Sequence, residues 1–163
     1  CEPSWEEAGA KGLSLSLDLS ASPVLVRIDL QAYHLILSNL VSNAIKYSEE
    51  GSSVSVMTFV QEDNGHQDLQ LVVEDNGPGI PEHIRDQIFD PFFTTKKQGH
   101  GTGLGLAVSY GIVERHEGTI TAVNRSQGGA EFHVRLPAGE PILKQKRKDK
   151  RNRISKKAGM GVS

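Results

Sequence analysis

The chain has 163 residues, the size of one domain or of one domain with a tail. With 37% hydrophobic residues and 17 glycines it can bury a core, and its single cysteine, Cys1, excludes an intrachain disulfide framework and a cysteine-ligated metal cluster. The net charge of −2 conceals a split: residues 144–163 carry nine Lys and Arg against Asp149 alone, a balance of +8, whereas residues 1–143 carry −10. No apolar run approaches the roughly 18 residues that a membrane-spanning helix needs, so a soluble piece is expected.

In chain order, Leu13, Leu15, Leu17 and Leu19 alternate with Ser14, Ser16 and Asp18, the period-2 pattern of a half-buried strand. Residues 24–28, after Pro23, suggest a short second strand. A helix is predicted over 30–47, where Leu30, Tyr33, Leu37, Leu40, Val41 and Ala44 form one apolar stripe. Residues 53–60 and 69–74 are strand-like, and Asn64-Gly65 between them is a hairpin signal. A short helix over 82–88 follows Pro81, a residue suited to a helix start. Residues 89–102 read as loop and 104–116 as a helix stopping at Gly118. Residues 119–124 and 130–136 make a second hairpin around Gln127-Gly128-Gly129.

Beyond Pro137 the chain turns polar. The basic run from Lys144 to Lys157 has almost no apolar content and cannot bury a core. The folded domain is therefore expected over 1–137, with 138–163 as a tail or linker. The run holds no aromatic residue for base stacking, so a solvated segment is expected there rather than a nucleic-acid or anionic-membrane patch. Helices interleaved with hairpin-joined strands suggest an α/β (α+β) two-layer sandwich, its mixed, mostly antiparallel sheet open on one face.

Three segments carry candidate chemistry. On the predicted helix, Asn39, Asn43 and Lys46 share a face away from the apolar stripe. That face is either solvated, or Asn43 offers an amide oxygen to Mg²⁺, a cation that prefers oxygen ligands, with Lys46 one turn on as a point charge for phosphate. Asp75-Asn76-Gly77-Pro78-Gly79-Ile80 follows a strand. It is either a tight turn, or a carboxylate that accepts the exocyclic amine of an adenine, with glycines that let the ring approach. Gly99-His100-Gly101-Thr102-Gly103-Leu104-Gly105-Leu106 runs into a helix. It is either a linker or a phosphate cradle of backbone N–H groups, and it has neither the Gly-Lys-Ser/Thr ending of a P-loop nor Gly-x-Gly-x-x-Gly spacing.

With Asn39-Leu40-Val41-Ser42-Asn43-Ala44-Ile45-Lys46-Tyr47 first, then the Asp75–Ile80 run, then Phe89-Asp90-Pro91-Phe92-Phe93, then Gly101–Leu106, the chain resembles the catalytic and ATP-binding domain of sensor histidine kinases, with its N, G1, F and G2 boxes in order. The resemblance covers most of residues 5–137. It implies a Bergerat fold, shared with gyrase, Hsp90 and MutL, with three helices on one side of the sheet. It further implies that Asn43 ligates Mg²⁺ and Lys46 contacts phosphate, the two catalytic positions, and that ATP is the cofactor. Tyr47 would pack on the adenine, Asp75 would bind its amine, and Gly77, Gly79 and Ile80 would shape its pocket. Phe92 and Phe93 would anchor a small lid over 94–100, and Gly101, Thr102, Gly103, Leu104 and Gly105 would wrap the phosphates. Phe-Phe-Thr-Thr-Lys resembles the nitrogen-regulation kinases, whereas Ala-Ile-Lys-Tyr resembles the commoner class.

Two departures bear on mechanism. ATP-hydrolysing relatives place a glutamate four residues before the metal-binding asparagine; here that residue is Asn39, and an amide cannot take a proton at neutral pH. Slow hydrolysis at most is expected. None of the six histidines lies in a phosphoacceptor setting, so the resemblance implies phosphoryl transfer to a histidine on a separate dimerisation domain, followed by a response regulator. The rival is a nucleotide-sensing module that never transfers phosphate. A cytoplasmic fragment of a larger sensor, beginning inside the domain's first helix, is the corresponding expectation.

Overall fold

The computed structural model describes residues 5–19, 24–95 and 102–139. Among them, three helices pack on one face of a six-stranded sheet. The helices are α1 (Trp5–Ala10), α2 (Leu30–Tyr47) and α3 (Gly105–Arg115), with a 3-10 helix over Glu82–Gln87. The strands are β1 (Ser14–Leu19), β2 (Leu25–Val26), β3 (Ser53–Asp63), β4 (His66–Glu74), β5 (Thr119–Asn124) and β6 (Ala130–Gly139). The order is β1-β3-β4-β6, and the far side of β6 pairs with β5 along one stretch and with β2 at its end. Only β1 and β3 run parallel; every other pair is antiparallel.

Local chemistry explains the elements. Asp29 caps α2, its Oδ1 accepting from the N–H groups of Gln31 (2.8 Å) and Ala32 (3.1 Å). Both central residues of the β3–β4 turn have positive φ, Asn64 at 50° and Gly65 at 80°, which matches the right-handed twist of the paired strands. Alternation does the rest. Val54 and Val56, Leu71 and Val73, and Phe132, Val134 and Leu136 point from three neighbouring strands into one buried cluster with Ile36, Leu40, Val41 and Ile45 of α2. Burial of the Tyr33 side chain on α2 pushes its phenol above the ordinary tyrosine range.

Several expectations need correction. β1 is a strand, but Leu15, Leu17 and Leu19 are exposed, at 40%, 72% and 65%; only Leu13 reaches the core. The strand lies at the sheet edge, paired with β3 alone among the described strands. Leu30 is 79% exposed, while Ile36 and Ile45, absent from the expected stripe, are fully buried. The reason is that α2 is covered on two sides, by the sheet and by α3, so its buried arc is wider than one stripe. The second strand shrinks to Leu25–Val26, and β3 and β4 extend to the turn itself. β6 continues past Pro137 to Gly139, because β2 pairs there: Val26 with Ala138 and Leu25 with Gly139. The folded region thus passes the expected end at 137. The basic run and residues 96–101 lie outside the described residues.

At the end of α3 the left-handed residue is Glu117 (φ 59°). Gly118 serves packing instead, since a Cβ there would strike the Arg135 carbonyl of β6.

Candidate functional site

A cavity of about 420 Å³ lies between α2, the loop after β4, the 3-10 helix and the start of α3. Its volume falls within the few hundred cubic ångströms typical of small-molecule sites. Asn39, Asn43, Lys46, Tyr47, Asp75, Gly79, Ile80, Phe93, Thr102, Gly103 and Gly105, all singled out from sequence, line it. Gly77 and Leu104 do not line it, and Gly101 lies outside the described residues. Ala130 and Phe132 of β6 contribute from the sheet, and Ile84 and Ile88 from around the 3-10 helix.

The α2 wall presents Asn39, Asn43, Lys46 and Tyr47. Their shared face follows from steps of four and three along a helix whose buried residues, Ile36, Leu40, Val41, Ala44 and Ile45, are held in the core. Asn39 reaches α3: its Nδ2 donates to the Gly105 carbonyl (2.9 Å) and to Ser109 Oγ (3.1 Å). Among the described residues the Asn43 amide and the Lys46 ammonium have no protein partner, so both are available to a ligand. The Tyr47 hydroxyl lies 3.4 Å from Thr95 Oγ1.

The last turn of α2 is fixed from outside by Lys11, a residue the sequence reading passed over. Its Nζ donates to the carbonyls of Ile45 (2.9 Å), Lys46 (2.8 Å) and Ser48 (3.3 Å). Terminal carbonyls lack partners within the helix, and a cation there both satisfies them and opposes the negative end of the helix dipole. Lys46 and Tyr47 are therefore set on an anchored turn.

The opposite wall is the loop that follows β4. Asp75 is 4% exposed, and its Oδ1 accepts two backbone N–H groups, from Gly77 (2.9 Å) and Ala130 (3.0 Å). Oδ2 has no protein donor among the described residues, and Asp75 lines the cavity. A carboxylate held through one oxygen presents the other as a fixed acceptor. The glycines of this loop sit against neighbouring protein groups. A Cβ on Gly77 would strike the Tyr47 carbonyl, and one on Gly79 (φ +77°) would meet Asn124 Oδ1 at 2.8 Å. Both positions thus need glycine for protein contacts, and Gly79 also lines the cavity.

The third wall is looser. Phe93 packs on the core edge, whereas Phe92 is 74% exposed with φ 66°. The Phe92 N–H donates to the Gly103 carbonyl (3.0 Å), and Gly103 (φ +64°) leaves no space for a Cβ beside Phe92 and Phe93. The glycine segment is thus tied to the phenylalanine pair. Leu104 stands at the cap position of α3 without a side-chain cap, and the Thr102 hydroxyl accepts from its N–H at 3.4 Å. The expected lid over 94–100 falls mostly outside the described residues.

The chain matches the family described as histidine kinase-, DNA gyrase B-, and HSP90-like ATPase over residues 28–140. It is 42% identical over 130 residues to the sensor protein KdpD of Escherichia coli, covering 77% of this chain and 14% of that protein. It is 36% identical over 137 residues to the sensor histidine kinase TmoS of Ectopseudomonas mendocina, covering 81% of this chain and 14% of that one. The chain therefore spans a small part of these relatives. Among solved structures, the catalytic domain of the histidine kinase ThkA is similar at a TM-score of 0.65 and 30% identity, covering 81% of this chain and 84% of that one. The full-length ShkA structure in complex with AMPPNP is similar at 0.69 and 27%, covering 82% of this chain and 27% of that one. The anchored carboxylate, the asparagine–lysine helix face and the glycine segment thus lie in a fold of known kind, and the chain belongs to the histidine kinase-, DNA gyrase B- and HSP90-like ATPase family as a domain of the sensor histidine kinase type.

Proposed function

We propose that this chain binds Mg-ATP in the cavity and serves as the catalytic domain that transfers the γ-phosphoryl group to a histidine on a separate dimerisation domain of its parent protein. The observation that carries this reading is the Asp75 carboxylate, fixed through Oδ1 and free at Oδ2, in the same cavity as the unpartnered Asn43 and Lys46. Oδ2 accepts the exocyclic amine of adenine, and Tyr47 stacks on the ring. Lys46 faces the phosphates, with Thr102, Gly103 and Gly105 at the same end. The similar full-length ShkA structure is a complex with AMPPNP, an ATP analogue, which supports this assignment.

The donor set suits Mg²⁺ arriving with the nucleotide. Among the described residues no three acidic, histidine or cysteine side chains cluster as a resident metal site. Asn43 offers one neutral oxygen, and Mg²⁺ habitually completes its shell with phosphate oxygens and water. When bound, the ion neutralises charge on the transferring phosphates. The chain's own residues position the nucleotide. With Asn39 at the position of the hydrolytic glutamate and its amide committed to Gly105 and Ser109, no base for water is supplied there, so the nucleotide is conserved for the partner histidine.

The parent protein is a cytoplasmic-facing sensor kinase that passes the phosphoryl group to a response regulator. Among the described residues no helix is long and apolar enough to cross a membrane. The test is to incubate the chain with γ-labelled ATP and the dimerisation domain of the parent. Acid-labile, histidine-linked label on that domain is expected, and its absence with a folded, ATP-binding chain contradicts the transfer.

A further inference from the structure

The loop that carries Asp75 is gripped from behind by two side chains of the β5–β6 hairpin that do not line the cavity. Asn124 closes a two-way bond with the backbone of one residue: the Ile80 N–H donates to its Oδ1 (2.6 Å), and its Nδ2 donates to the Ile80 carbonyl (2.8 Å). Arg125 holds the other end. Its Nη1 donates to the Asp75 carbonyl (3.1 Å) and to Asn76 Oδ1 (2.7 Å), and its Nη2 pairs with Glu74 at 3.2 Å. Two glycines allow this approach: Gly79, whose Cβ would meet Asn124, and Gly129 (φ +89°), whose Cβ would strike the Asp75 carbonyl.

We infer that Asn124 and Arg125 are positioning residues that set the orientation of the Asp75 carboxylate and thereby the base end of the nucleotide site. Residues 74–76 and 80 are held on both flanks of Asp75, which fixes the backbone that carries the carboxylate and the Gly77 N–H that its Oδ1 accepts. A fixed acceptor selects by hydrogen-bond pattern, because a base presenting an acceptor at that point leaves the buried Oδ2 unmatched. The planar guanidinium spans three acceptors, which an ammonium on a flexible stem does not reproduce.

The inference rests on the reading of Asp75 as the base-end acceptor, and two measurements separate the failures. Affinities for ATP, ADP and GTP are measured for the wild type, Asn124→Ala, Arg125→Ala and Arg125→Lys, with thermal melting of each. ATP and ADP are expected to weaken by the same factor, roughly tenfold for a lost positioning bond, with the preference for ATP over GTP falling in parallel and Arg125→Lys intermediate. Loss for ATP but not ADP, or unchanged affinity in a folded variant, overturns the inference. In parallel, amide exchange is followed without nucleotide at Gly77, whose N–H is held by Asp75 Oδ1 and touched by neither side chain. Faster exchange at Gly77 in Arg125→Ala supports the clamp even if wild type binds no ATP, an outcome that sinks only the functional reading. Unchanged exchange overturns the clamp.

Discussion

The two long walls of the cavity are built on opposite principles. On the side we propose for the base, Asp75 is buried, its loop is hydrogen-bonded to β6 and to the β5–β6 hairpin, and only one carboxylate oxygen is left open. On the side we propose for the phosphates, Asn43 and Lys46 are directed by a helix but hold no protein group, and the glycine segment is tied mainly through Phe92. A rigid acceptor suits a planar, uncharged base, for which hydrogen-bond direction decides selection. Open ammonium, amide and N–H groups suit a flexible, highly charged phosphate chain whose charge changes during transfer. The difference teaches where substitutions should couple to folding: Asp75 and its loop serve structure and binding together, whereas Asn43 and Lys46 serve binding alone.

The largest break in that comparison comes from Asp75→Ala. It strands two buried N–H donors, of Gly77 and Ala130, and should cost about 2–4 kcal/mol of stability, measured by denaturant unfolding, along with ATP binding. Next is Gly129→Ala, which forces a Cβ against the Asp75 carbonyl at a positive φ and should cost roughly 2–3 kcal/mol, read in the same unfolding experiment. Asn39→Ala removes the bonds from α2 to Gly105 and Ser109; a loss of about 1 kcal/mol is expected, and Ser109→Ala should reproduce part of it. The smallest effect sharpens the contrast. Lys46→Ala should leave stability within about 0.5 kcal/mol, because the exposed ammonium holds no protein group, yet weaken ATP more than ADP in a titration. A large stability loss there would erase the distinction between the walls.

Much of this was legible from residues in order. The asparagine–lysine face, Asp75 and the glycine segment converge on one cavity, and the Asn64-Gly65 pair marks the turn it suggested. What escaped is what depends on contacts between distant segments. Lys11 reads as an ordinary surface lysine until the chain brings it to the end of α2, 34 residues away. Asn124 reads only as the end of a strand and Arg125 as part of the connection after it, and nothing local ties them to Ile80 or Asp75, 44 and 50 residues earlier. The leucines of β1 show the converse limit. Period-2 alternation sets which side chains share a face, but burial requires something over that face, which a strand's own sequence does not specify.

The most direct test is calorimetric titration of the folded chain with ATP and with GTP, each with and without Mg²⁺. The account predicts Mg-dependent binding in the micromolar to sub-millimolar range, with ATP clearly preferred and the preference lost in Asp75→Asn, which replaces the acceptor with an amide. Equal affinity for ATP and GTP, or no binding by a chain shown to be folded, would contradict it.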